Sequence, residues 1–204
     1  MPAPTSRPAR APTWAEMDLC IAHAPDEWLH RHLVLLRFLG LRETQALQLE
    51  WSDVDMDAAI ILIRGELGKS KQEKQGRALP MSPHLVAELA GWGRREGLLL
   101  GREAPNTAWR HRATCEAWEM CGGSEDIWRG QPHHAFRKGF RSELVRAGGH
   151  TDAIEYYCGR SVGTRADYTD PRALPLLELV ALVPPIGAAP NVPTLKASDA
   201  RKGA

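Results

Sequence analysis

Residues 36–55 read LRFLGLRETQALQLEWSDVD. The apolar crowd Leu36, Phe38 and Leu39 halts at Gly40, the residue type that most readily takes the left-handed conformation closing a helix. A shorter helix is expected next, running through Ala46 and Leu49 and ending near Trp51. The acidic run SDVDMD at 52–57 is turn chemistry, because Ser and Asp side chains bond their own backbone. A buried helix, a sharp stop, a short helix and an acidic turn within so few residues point to a mainly helical domain.

Upstream, Asp26 to Leu39 carries Trp28, Leu29, Leu33, Leu36 and Phe38 at helical spacing and should be mostly buried. Before it, Thr13 and Glu16 make a capping-box pattern that opens a helix to about Ala24. Downstream, Ala59–Arg64 and Arg77–Met81 read as short strands flanking a polar hairpin tip, GELGKSKQEKQG. Helices are then expected from Pro83 through Trp92, over Thr107–Cys121, over His133–Ala147 up to the Gly148-Gly149 stop, and over Asp152–Cys158. Ala173–Val183 is an apolar helix that either packs on its own core or docks on a neighbouring subunit. The fold class is α+β, mainly helical, with two or three strands in one small antiparallel sheet. Residues 1–12, rich in Pro and Arg, are expected as a flexible lead-in and 186–204 as a disordered tail, leaving one domain at 13–185.

With 204 residues, 43% hydrophobic and 25% charged, the chain has an ordinary globular composition. No apolar run approaches the roughly 18 residues that span a bilayer. Arg7 and Arg10 precede no apolar segment, so the start does not read as a secretory signal and the protein is expected to stay in the cytoplasm. Cys20, Cys115, Cys121 and Cys158 form no CxxC pair. The net charge of +1 is unevenly spread. Residues 43–57 hold Glu43, Glu50, Asp53, Asp55 and Asp57 without a base, whereas 129–146 hold Arg129, Arg137, Lys138, Arg141 and Arg146 against Glu143 alone. A local basic surface is expected there.

Four stretches, in order, resemble the tyrosine recombinases of the phage integrase type, and the resemblance covers roughly residues 13–185. The opening stretch is similar to the first arginine box and puts Arg42 in the arginine's place. GKSKQEKQGRALPMS at 68–82 resembles the family hairpin with its lysine; counting back from Pro80 favours Lys71 over Lys69 and Lys74. HHAFRKGFRSELVRAG at 133–148 resembles the His-x-x-Arg helix and selects His134 and Arg137. YYCGRSVGTRADYTDP at 156–171 resembles the final box, with Tyr168 at the nucleophile's position and Arg160 where histidine or tryptophan is usual. Singly, each is an ordinary residue; their ordered recurrence carries the resemblance.

The resemblance implies the DNA breaking-rejoining fold and a reaction that the residue types suit. Two guanidiniums, Arg42 and Arg137, can clamp the non-bridging oxygens of a phosphate, since the planar fork holds two oxygens and stays charged. Tyr168 would form a 3′-phosphotyrosyl intermediate. Lys71 would protonate the leaving 5′ oxygen while His134 assists proton transfer. His134 and Arg137, three apart on a helix, share a face. Neither a metal nor a nucleotide cofactor is called for. Tyr156 and Tyr157, on a short helix before Gly159, read as packing residues rather than nucleophiles.

Two substitutions depart from the family pattern. Gln45 stands where a carboxylate is common three residues after the first arginine, and Arg160 adds a cation that could bind phosphate or pair with Asp167 or Asp170. The chain is also expected to lack the separate N-terminal DNA-binding domain, weakening its grip on DNA. The function implied is site-specific recombination or integration of a phage or mobile element in a bacterial cell. Its partners would be double-stranded DNA, further copies of the chain in a tetrameric synapse, and a separate DNA-binding domain or accessory protein. The alternatives are a catalytically impaired DNA-binding module of the same fold and a type IB topoisomerase-like strand transferase.

Overall fold

The computed structural model describes residues 10–65, 76–93, 96–122, 125–128, 130–160 and 171–188. Helix α1, Trp14–Ala22, opens on the expected capping box, with Thr13 and Glu16 each taking the other's backbone N–H. Helix α2, Glu27–Leu39, starts at the Asp26 cap and ends on Gly40 in the left-handed region at φ 57°. A β-carbon at Gly40 would lie 2.4 Å from Phe140 Cδ1, so glycine is required both for its φ and for the close approach of a later helix.

After Gly40 the short helix α3 covers only Glu43–Ala46, less than expected, and a 3₁₀ turn follows at Trp51–Asp53. The acidic segment is half strand. Val54–Asp55 forms β1 and pairs antiparallel with β2, Ile60–Ile63, which pairs in turn with β3, Arg77–Pro80. The turn chemistry sits just after β1, where Asp55 Oδ1 accepts the N–H groups of Asp57 and Ala58. Along β2, Ile61 and Ile63 are fully buried and Ile60 and Leu62 exposed, the period-two alternation of a sheet with one wet face.

Helices α4, Pro83–Ala90, and α5, Thr107–Met120, begin on the caps Ser82 and Asn106. A short α6, Glu125–Trp128, was not foreseen; four residues are too few to show a period. Helix α7, Pro132–Arg146, is the centre of the fold and packs on α1, α2, α5, α6 and on α8, Thr151–Tyr157. Its residues Phe136, Phe140 and Leu144 are fully buried, and Phe136 and Phe140 lie against Trp118 and Tyr157. Polar contacts tie α7 to the start of α1, where Glu143 Oε2 accepts the Trp14 N–H at 3.2 Å.

The expected helix over 173–183 is divided: a 3₁₀ turn at Pro171–Ala173 precedes α9, Leu176–Ala181, because Pro175 holds the cap position. Of the two roles considered for it, packing on its own core is seen: Leu179, Val180 and Val183 are buried against the domain, while Leu177 faces outward. Described contacts reach past residue 186, with Ile186 packed on the core and the Gly187 N–H bonded to Asp18 at 3.0 Å. Among the described residues no helix is long and apolar enough to cross a membrane.

Candidate active site

Arg42 lies between the Gly40 stop and α3, so the helix ending of α2 fixes its position in the fold. Its backbone N–H donates to the Gln45 amide oxygen at 3.2 Å. Gln45 is fully buried, and its neutral amide supports the Arg42 segment through this backbone cap rather than by charge.

His134 and Arg137 stand one turn apart on α7. Arg137 is buried, and its Nη1 donates to Gly40 O at 2.9 Å while its Nη2 donates to Cys158 O. One guanidinium thus joins the end of α2 to the end of α8, fixing the Arg42 segment and the Arg160 segment relative to each other. The end of α8 is itself a Schellman cap: the Arg160 N–H bonds Glu155 O and the Gly159 N–H bonds Tyr156 O, both at 2.8 Å. Gly159 has φ 65°, and a β-carbon there would sit 2.7 Å from Arg77 Nη1. That cap aims Arg160 back at α7.

A cleft of about 250 Å³ results, lined by Ala11, His134, Arg137, Lys138, Arg141, Ser142 and Arg160. His134 also borders a second cleft of about 280 Å³ with Arg42, Glu43 and His111. Burial lowers the His134 pKa below the ordinary histidine value, and the charges of Lys138, Arg137, Arg160 and Arg42 add to the effect. Burial and these charges favour the neutral ring, the form that can accept a proton, and the four surrounding cations suit an anionic ligand.

The structure thus gathers Arg42, Arg137 and Arg160 around His134. Lys71, with Lys69 and Lys74, and Tyr168, with Asp167 and Asp170, lie outside the described residues. Tyr157 is fully buried, donates its hydroxyl to Pro80 O at 2.9 Å and has its pKa pushed far up by burial, in keeping with a packing role. Lys138 was not singled out for the site from sequence, although four residues after His134 it occupies the same helix face. A further group also went unread: Glu43 binds Arg110 Nε at 2.9 Å and lies 3.5 Å from His133, which contacts Thr114. Its members come from distant parts of the chain, so no local pattern announces it.

The chain is thus a small helical domain with a three-stranded sheet, with cations from three segments gathered around one histidine. Residues 17–173 match the phage integrase family, and the chain belongs to that family, which comprises tyrosine recombinases that break and rejoin DNA. It is similar to tyrosine recombinase XerC of Xanthomonas campestris pv. campestris strain B100, 26% identical over 137 residues that make up 64% of this chain and 40% of that one. XerC of Xanthomonas axonopodis pv. citri strain 306 is 25% identical over the same length. The chain spans about two fifths of the length of these curated relatives. Among solved structures, the integrase of mycobacterium phage Brujita superposes with a TM-score of 0.58 at 19% identity, over 90% of this chain and 65% of that one. The XerA recombinase gives 0.56 at 24% identity, over 82% and 62%. The Tn1549 transposon integrase, solved with circular intermediate DNA, gives 0.56 at 16% identity, over 81% and 64%. These structures share the fold.

Proposed function

We propose that this chain is the catalytic domain of a site-specific DNA recombinase or integrase that cleaves and rejoins strands through Tyr168. The observation that carries the reading is the convergence of Arg137 and Arg160 with His134 at one cleft, and of Arg42 with His134 at a second cleft that the same histidine borders. A phosphodiester in its pentavalent transition state gathers negative charge on its non-bridging oxygens, and guanidiniums already held in place lower that barrier without reorganising. Arg42 and Arg137 take this role. Arg160, exposed at the cleft beside them, adds a third contact to phosphate. The Tyr168 phenol oxygen attacks phosphorus, its proton passes to His134, and the bond to the 5′ oxygen breaks as Lys71 protonates that oxygen. The 3′-phosphotyrosyl ester conserves the bond energy, so attack by a 5′ hydroxyl reverses the steps on a new strand.

The test uses suicide duplexes that trap cleavage, carrying candidate attachment sites. An SDS-resistant protein–DNA adduct is expected with the wild-type chain and none with Tyr168→Phe. DNA binding without any adduct would instead favour a non-catalytic module of the same fold, the reading that the Gln45 substitution supports. Relaxation of supercoiled DNA by a monomer would favour a topoisomerase-like transferase.

A further inference from the structure

Beside the cleft, among groups that strand transfer does not use, His32 of α2, Glu43 of α3 and His133 of α7 converge. Each offers one ligand atom, and these atoms all lie within 4.8 Å of one another. His32 is wholly buried, and neither of its ring nitrogens has a hydrogen-bond partner among the described residues. The ring stacks on Trp28 at 5.3 Å and meets the His133 ring edge-on at 5.4 Å. An imidazole sealed in a core with both polar atoms unused carries a desolvation cost that a ligand on one nitrogen relieves.

The other two groups are oriented for the same ligand. Thr114 Oγ1 donates its one hydrogen to Arg110 O at 2.8 Å, so in its 2.8 Å contact with His133 Nε2 the ring is the donor. In a neutral imidazole this leaves the Nδ1 lone pair facing Glu43 Oε2 at 3.5 Å, acceptor against acceptor. Glu43 Oε1 is held by Arg110 Nε at 2.9 Å, which turns Oε2 towards His133.

We propose that His32, Glu43 and His133 form a binding site for a divalent transition metal ion of the zinc type. Two imidazoles and a carboxylate are a suitable donor set for it. Thr114 and Arg110 hydrogen-bond the far sides of two of the ligands, as the outer partners of metal ligands do. Tetrahedral zinc bonds of about 2.0–2.1 Å set ligand atoms roughly 3.4 Å apart, so small side-chain rotations close the site. The approach is through the cleft of about 280 Å³ that Glu43 and His133 line, where the Glu43 side chain is 27% exposed. Arg110 shares the carboxylate, and its charge keeps the affinity below that of a closed structural zinc site. Since Glu43 follows Arg42 and His133 precedes His134, the ion cross-links the two segments that carry those residues; the site itself stands apart from the proposed reaction.

The experiment titrates the full chain, stripped with a chelator and dialysed, with Zn²⁺ alone in a calorimeter, and with Co²⁺ in a spectrophotometer. One ion per chain is expected, with the visible bands of a tetrahedral nitrogen–oxygen Co²⁺ site. Glu43→Gln and His133→Asn should each weaken Zn²⁺ binding by at least about ten-fold while metal-free circular dichroism is unchanged. No stoichiometric binding by the wild-type chain overturns the proposal. So does binding that both variants leave intact, or a near-ultraviolet thiolate band, which would place the ion on groups such as Cys115 and His111, 3.6 Å apart. If a variant unfolds, the wild-type Co²⁺ spectrum decides between the two ligand sets.

Discussion

Arg137 shows how one side chain can serve both architecture and chemistry. Its guanidinium holds Gly40 O and Cys158 O, groups that lie 97 and 21 residues away in sequence. A lysine ammonium cannot reproduce that planar fork. Arg137→Lys is expected to cost about 1.5–3 kcal/mol, the worth of a hydrogen bond to a charged group, and to lower strand cleavage as well. Thermal melting and adduct formation, measured on the same variant, check the two effects; a variant that melts like the wild type would show that the carbonyl contacts do not hold the site. His134 and Arg137 were singled out through the resemblance of their helix to a family box, and their spacing on one helix then places them on one face. The group of Glu43, Arg110, Thr114 and His133 was not, since its Glu43–Arg110 link spans 67 residues and one-dimensional periodicity carries no information about such pairings.

Elements were readable where their ends are chemically marked. Thr13, Asp26, Ser82 and Asn106 each cap a helix through a side chain, and the Gly40 stop occurs as its residue type predicts. Boundaries failed where tertiary pairing decides them: Val54 and Asp55 become a strand because Ile61 and Ile60 lie opposite, although Asp is depleted in strands and the flanking acidic residues favour a turn. The α1–α2 pair depends on a contact of another kind. Arg37 and Asp18 are both buried, linked at 2.9 Å, with the guanidinium 4.2 Å above the Trp14 ring. Burial lowers the Arg37 pKa against the opposing pull of Asp18. Asp18→Ala leaves a charge stranded in the core and should cost roughly 3–5 kcal/mol. In a domain of this size that lowers Tm by about 10 °C. A shift of only a degree or two in calorimetry would mean that the guanidinium finds water or another acceptor.

For the molecule as a whole, the distribution of charge matters more than its sum. A net charge of +1 conceals a cleft walled by Lys138, Arg141, Arg160 and Arg137. If that wall meets phosphates, Lys138→Ala should weaken binding to any duplex and reduce the slope of log K against log salt by about 1. Fluorescence anisotropy at several salt concentrations measures this, and an unchanged slope would put Lys138 outside the DNA footprint. The central place of α7 also governs how the domain comes into being on the ribosome. Helix α2 is complete at Leu39, yet the surface that covers it arrives with α7, which ends at Arg146. At about 5–20 residues per second, translation leaves the apolar face of α2 waiting several seconds for its cover. During that interval the nascent chain is a natural client for a chaperone, and the bond from Arg137 to Gly40 can form only once α7 has emerged.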